Sequence, residues 1–150
     1  MLAGNPGKDT LVHCWRDRKH GMSAVENGHD VIMSPFKEVY FSVPQGVEDD
    51  PFTYLAPKMR IPLSMVYSFD PCVGMTEEMK RHVLGSECCV WSECVWNEYD
   101  LAFKLWPRAC AFAEALWTAP ASRDFADFSR RVAVERKYLI SKGVNCAPLK

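Results

Sequence analysis

VLGSECCVWSECVWNE, residues 83–98, is the stretch on which the reading of the fold turns. Val83 to Trp91 reads as an apolar strand that ends at an indole, and a carboxylate, Glu93, follows. A buried strand that delivers an aromatic wall and an acid at its C-terminal end is how a (β/α) barrel presents a ligand site. Taken alone, the stretch is better explained as a core strand followed by a solvated Glu. Its neighbours change that balance. Trp96 and Tyr99 come next, before the chain turns into a very apolar helix.

Upstream, Leu11 to Trp15 is a short β-prone run and Arg16 to Lys19 a charged turn. Met22 to Asn27 is a short helical segment stopped by Gly28, a natural residue after a helix end. Val31, Ile32 and Met33 make a second buried strand closed by Ser34-Pro35. Strand, helix and strand in so short a span predict a βαβ unit, and therefore a parallel sheet with helices outside it. Residues 34–62 are loop-like, broken by Pro35, Pro44, Pro51 and Pro57, with a β-prone island at Val39-Tyr40-Phe41. Loops of that length inside a compact domain are usually functional. Pro62 is placed to open a short helix through Tyr67, and Glu77 to Arg81 to add a helical turn.

Downstream, Pro107 opens a helix to Trp117 whose only charged residues are Arg108 and Glu114, which predicts burial on most sides. Both are read as structural ion-pair members. Ser122 is placed to cap a last amphipathic helix bearing Phe125, Phe128, Val132 and Leu139, with Gly143 as its stop.

The chain has 150 residues, 48% of them hydrophobic and 12% aromatic, which describes an ordered globular unit. A net charge of −1 gives no steering toward nucleic acid or an anionic membrane, and no apolar run is long enough to span a bilayer. No signal peptide is visible in MLAGNPGKDT. The seven cysteines include no CxxC pair, and Cys88, Cys89 and Cys94 match no common zinc spacing. They read as reduced, buried thiols, which leans toward a reducing compartment and leaves the localisation unknown.

Four pieces together resemble the C-terminal part of the catalytic barrel of family 20 glycoside hydrolases, the β-N-acetylhexosaminidases. They are HCWRD (13–17), GHDVIMSP (28–35) leading to VYFSVPQ (39–45), VLGSECCVWSE (83–93) and LWPRACAFAEALW (105–117). The last two are the most specific. The resemblance implies an α/β fold, the sixth to eighth strands and their helices of a TIM (β/α)8 barrel, with residues 1–150 as one incomplete domain. It implies hydrolysis of terminal N-acetylhexosamine from glycans, with no cofactor and no metal. By the same resemblance Trp15 lines the pocket of the terminal sugar, and the Tyr40 hydroxyl bonds the acetamido group. The apolar face of the sugar packs on Trp91, and Glu93 accepts from its 4- and 6-hydroxyls. These residue types suit a sugar, because a pyranose offers C–H faces to an indole and hydroxyl donors to a carboxylate. Trp96 is a possible extension of the pocket, as is Tyr99; packing against the final helix is the alternative for both. His13 either faces the pocket or is a satisfied rim histidine.

Two features depart from the family pattern. Many members read Tyr-x-Asp where this chain has Tyr40-Phe41-Ser42, so Ser42 is a possible substrate contact without charge, and the preferred sugar is expected to differ. The second is an absence. The resemblance implies substrate assistance: the acetamido oxygen attacks the anomeric carbon, a Glu protonates the leaving oxygen, and a neighbouring Asp steadies the acetamido nitrogen. That Asp-Glu pair belongs after the fourth strand and has no counterpart here. Glu87 and Glu93 are roughly 20 Å apart in an extended chain, too far to flank one bond. Asp49-Asp50 and Glu77-Glu78 read as solvated charges.

The expectation is a fragment with substrate contacts and no catalytic residue of its own, completed by the missing N-terminal part of the barrel. A barrel of this type runs to about 250 residues. The alternative is a non-catalytic sugar-binding half-barrel, or a subunit that completes its barrel with another chain.

Overall fold

The computed structural model describes residue 7, residues 9–46 and residues 59–149. Asp49 and Asp50 lie outside the described residues. Three short strands, β1 (Val12–Cys14), β2 (Val31–Met33) and β3 (Val83–Gly85), form one sheet in the order β1-β2-β3. Both pairings are parallel, as the βαβ pattern predicts, with Val12 opposite Val31 and Val31 opposite Val83.

The crossover from β1 to β2 is α1 (Arg18–Glu26). It begins within the segment read as a charged turn, because Asp17 caps it: the side chain accepts from the Lys19 amide at 3.1 Å. A carboxylate at this position satisfies an amide that the first turn leaves open. Gly21 of α1 lies against Met33 and Cys14, so closely that an added Cβ would collide with the Met33 sulfur. Cys14, Val31 and Met33 meet Ala24 and Val25 there, forming the smaller of two cores.

The long segment after β2 is not all loop. It begins with a single helical turn, α2 (Phe36–Val39), and then pairs once more with the third strand through a parallel bridge between Tyr40 and Cys89. After α3 (Leu63–Tyr67) and α4 (Glu77–Lys80) come β3 and then α5 (Glu98–Leu105), a helix that the sequence reading, which opens its helix at Pro107, does not include. Asn97 caps α5 by accepting from the Asp100 amide at 2.9 Å. The apolar helix α6 (Arg108–Trp117) and the long α7 (Phe125–Ser141) complete the fold. Asp124, rather than Ser122, caps α7. Gly143 follows its end at φ 81, the left-handed conformation that glycine supplies without strain. Phe41, Val66, Phe69, Phe112 and Phe128 form the larger core, between the 39–43 segment and helices α3, α6 and α7.

The strand expected over Val83–Trp91 is regular only to Gly85, where φ is 155 and the register against β2 shifts. Serine hydroxyls stitch the interruption: the Ser86 hydroxyl donates to Met33 O, and Ser34 Oγ accepts from the Glu87 amide at 3.1 Å. Parallel sheets are normally covered on both faces. Here Cys14, Val31 and Met33 are buried beneath helix α1, whereas His13 and Leu84 are exposed. Among the described residues no helix is long and apolar enough to cross a membrane.

Candidate functional site

Parallel strands that end in step place their following residues at one edge of the sheet. Trp15 follows β1 directly, Tyr40 follows the α2 turn beyond β2, and Trp91 and Glu93 follow the irregular end of the third strand. The Phe36 amide donates to Trp15 O at 2.8 Å, which ties the two chain segments together. The Phe36 ring meets Tyr40 edge-on with centroids 6.0 Å apart, and Tyr40 meets Trp91 at 5.8 Å with the planes inclined by 46°. Trp15, Phe36, Tyr40 and Trp91 therefore form a continuous series of contacts. Tyr40 is its buried centre, while the indoles of Trp15 and Trp91 are 46% and 45% exposed.

Burial, with the Cys89 thiol beside it, pushes the Tyr40 phenol up to about 12, so it holds its proton at any physiological pH and can donate from its hydroxyl. Arg16 sits 4.8 Å over the Trp15 ring and presses on that indole. A cavity of ≈ 320 Å³ runs between β1 and α1, lined by His13, Trp15, Arg16 and His20 among others. Glu93 lies in a single 3-10 turn, Ser92–Cys94, is exposed, and pairs with no cation among the described residues. Its carboxylate is open to accept from hydroxyl groups of a ligand.

The other expected residues are placed differently. Ser42 is 3% exposed, and its Oγ accepts from the Trp91 amide at 2.7 Å. Trp96 is 74% exposed, and its backbone amide donates to Asp100 at 3.0 Å. His13 faces Glu87 at 3.4 Å. Glu77 is held by Lys80 at 2.6 Å on the surface of α4, in keeping with a solvated charge. All seven cysteines are free thiols, and burial raises the pKa of Cys14, Cys72, Cys88, Cys89, Cys110 and Cys146. Thiols shifted that way are poor nucleophiles. Among the described residues no three His, Cys, Asp or Glu side chains gather as a metal site.

Arg108 and Glu114, the two charged residues of α6, are both held by partners. Glu114 is an ion-pair member: Arg131 donates to its two oxygens at 2.7 and 2.8 Å, and the Tyr67 hydroxyl donates to it at 2.9 Å. Arg108 is fully buried and donates to the carbonyls of Phe41, Val43, Ile61 and Lys104. A lone guanidinium in an apolar helix was the signal for it; which carbonyls it would bind was not readable.

A parallel sheet with helices connecting its strands, and with aromatic side chains and an exposed carboxylate beyond the strand ends, places the chain in the α/β class. Comparison with known proteins makes the class specific. The family model "Glycosyl hydrolase family 20, catalytic domain" matches residues 1–120, and the chain belongs to that family. It is 32% identical over 147 residues to a β-hexosaminidase of Porphyromonas gingivalis, covering 97% of this chain and 19% of the relative. To β-hexosaminidase subunit B2 of Dictyostelium discoideum it is 28% identical over 156 residues, covering 99% of this chain and 25% of the relative. The crystal structure of the family 20 exo-β-N-acetylglucosaminidase of Vibrio harveyi in complex with N-acetylglucosamine superposes with a TM-score of 0.85 at 25% identity. That match covers 97% of this chain and 23% of the other. The chain thus spans a quarter or less of these relatives' length.

Proposed function

We propose that this chain supplies one wall of the site at which a β-N-acetylhexosaminidase holds a terminal N-acetylhexosamine, and that its strands are the sixth to eighth of the family's barrel. The observation that carries the reading is the contact between a buried, protonated Tyr40 and a half-exposed Trp91, with the exposed carboxylate of Glu93, unpaired among the described residues, two positions further along the chain. Trp91 offers a flat apolar face to the C–H side of a pyranose ring. The Tyr40 hydroxyl donates to the acetamido carbonyl oxygen, Glu93 accepts from the 4- and 6-hydroxyls, and Trp15 closes the side of the pocket. A dry aromatic wall of this kind strengthens every electrostatic contact inside it.

In the substrate-assisted reaction of this family the acetamido oxygen is the nucleophile. Tyr40 and Trp91 then hold the acetamido group and the ring so that this oxygen faces the anomeric carbon. The acid that protonates the leaving oxygen, and the Asp that steadies the acetamido nitrogen, are supplied from outside residues 1–150. Support for a reading in which the barrel is completed by further structure comes from the exposed His13 and Leu84 on the otherwise uncovered sheet face. Completion by another chain is the second reading that the same bare face favours. A crystal of the chain soaked in N-acetylglucosamine tests the site: sugar density stacked on Trp91, with an acetamido group at Tyr40, is expected. Density elsewhere, or none at saturating sugar, would refute it.

A further inference from the structure

The chain between Tyr40 and Val43 is held where a regular ladder would have continued. The Phe41 amide donates to Cys89 O at 2.7 Å and the Cys89 amide to Val39 O at 3.0 Å, the two bonds of a parallel bridge. In a parallel ladder the next bonds would run from the Trp91 amide to Phe41 O, and from the Val43 amide to Trp91 O. Neither is made. The Phe41 carbonyl accepts from Arg108 Nη2 at 2.7 Å, and the Val43 amide turns back to Tyr40 O at 3.0 Å. Arg108 Nη1 takes Val43 O at 2.8 Å, and the guanidinium lies 4.5 Å over the Phe41 ring. The Trp91 amide is thereby left without its ladder acceptor, and the hydroxyl of Ser42, between the two clamped carbonyls, takes its place at 2.7 Å.

We infer that Ser42 and Arg108 are positioning residues of the sugar site: Arg108 withdraws the Phe41 carbonyl from the ladder, and Ser42 substitutes for it, so that the chain leaves the sheet at Trp91 with the indole set against Tyr40. The inference deepens the sugar-site reading and rests on it for what the indole contacts. It assigns Ser42 an action through Trp91 rather than on the sugar. A buried hydroxyl suits this role because it accepts from the amide and, unlike a carboxylate, can be desolvated without a counter-charge. It also accounts for Arg108 as the fully buried charge of a largely apolar helix, since a guanidinium offers enough donors to hold carbonyls from several segments at once.

Amide exchange and ring-to-ring nuclear Overhauser effects on the labelled 150-residue chain test this, with Ser42→Ala, Ser42→Thr and Arg108→Lys beside the wild type. Ser42→Ala is expected to speed exchange of the Trp91 amide at least tenfold while leaving the Cys89 amide, bonded to Val39 O, unchanged. The Tyr40–Trp91 cross-peaks should weaken, and the affinity for N-acetylglucosamine should fall severalfold. Ser42→Thr, which keeps the hydroxyl, is expected to restore all three, and Arg108→Lys to shift the Trp91 amide in the same direction as Ser42→Ala. If the alanine variant loses its fold, Ser42→Cys gives the same comparison with the volume retained and a poorer acceptor. Unchanged exchange at Trp91 in Ser42→Ala would overturn the inference. So would lost sugar binding with Trp91 exchange and cross-peaks intact, which would make Ser42 a direct sugar ligand. A wild-type chain that binds no sugar would sink the sugar-site reading, while the exchange comparison would still decide the role of Ser42.

Discussion

On the proposed reading Trp91 and Glu93, two residues apart, offer a ligand opposite things, an apolar face and an anion that is unpaired among the described residues. Their losses should therefore differ in kind. Trp91→Ala removes the aromatic platform, whose stacking is worth about 1 kcal/mol beyond the area it covers. The expected result is a loss of N-acetylglucosamine affinity of about tenfold, with Trp91→Phe intermediate. Glu93→Gln keeps the shape and removes the charge-assisted hydrogen bonds, which are roughly twice as strong as neutral ones. It should weaken N-acetylglucosamine while leaving binding of a 4,6-dideoxy analogue unchanged. Calorimetric titration of the two sugars reads both effects. At this scale the sequence was most informative where residues fall within a family motif. The indole and the acid after the strand took their expected sugar roles from the family resemblance; a serine's partner does not show in the sequence, since Ser42 meets a backbone amide 49 residues away.

At the scale of elements, local signals were readable and their boundaries were not. The parallel βαβ unit, the short helix after Pro62 and the apolar helix after Pro107 follow from periodicity and from proline and glycine punctuation. The strand through residue 91 did not stay regular, because Gly85 and the register shift break the ladder and serine hydroxyls replace it. Helix α5 went unseen, although Asn97 caps it by accepting from the Asp100 amide. The contact between α6 and α7 is expected to depend on pH. Hydrogen bonding from Arg131, helped by the Tyr67 hydroxyl and opposed by partial burial, holds the Glu114 carboxyl below the ordinary range. A carboxyl with a lowered folded pKa stabilises the fold above its unfolded value, about 4.3. That contribution is lost as pH falls through the folded value. Urea midpoints should therefore drop between about pH 5 and pH 2, and Glu114→Gln should flatten part of that drop. An equal pH dependence in the variant would show that the pair does not couple these helices.

For the whole molecule, the sheet has one face packed on helix α1 and the other open at His13 and Leu84. On the proposed reading that open face lines the inside of a barrel, and the acid that the chemistry needs comes from outside residues 1–150. Purified residues 1–150 are expected to release no chromophore from an aryl N-acetylglucosaminide. Turnover that survives Trp91→Ala and Glu93→Gln would point to contamination, and turnover that they abolish would mean a catalytic acid lies within this chain after all. The family was legible in the sequence because its motifs cluster at strand ends. How those motifs are held was not, since the supporting contacts run from α6 to main-chain carbonyls rather than between recognisable side-chain pairs.

The convergence of Trp15, Tyr40, Trp91 and Glu93 on one bound sugar is tested most directly by following the five indole N–H signals during titration with N-acetylglucosamine. The signals of Trp91 and Trp15 should move together along one saturating curve, and that of Trp117, 90% exposed on α6, should stay where it is. Saturating shifts confined to Trp117 or Trp106, or none at any indole, would contradict the account.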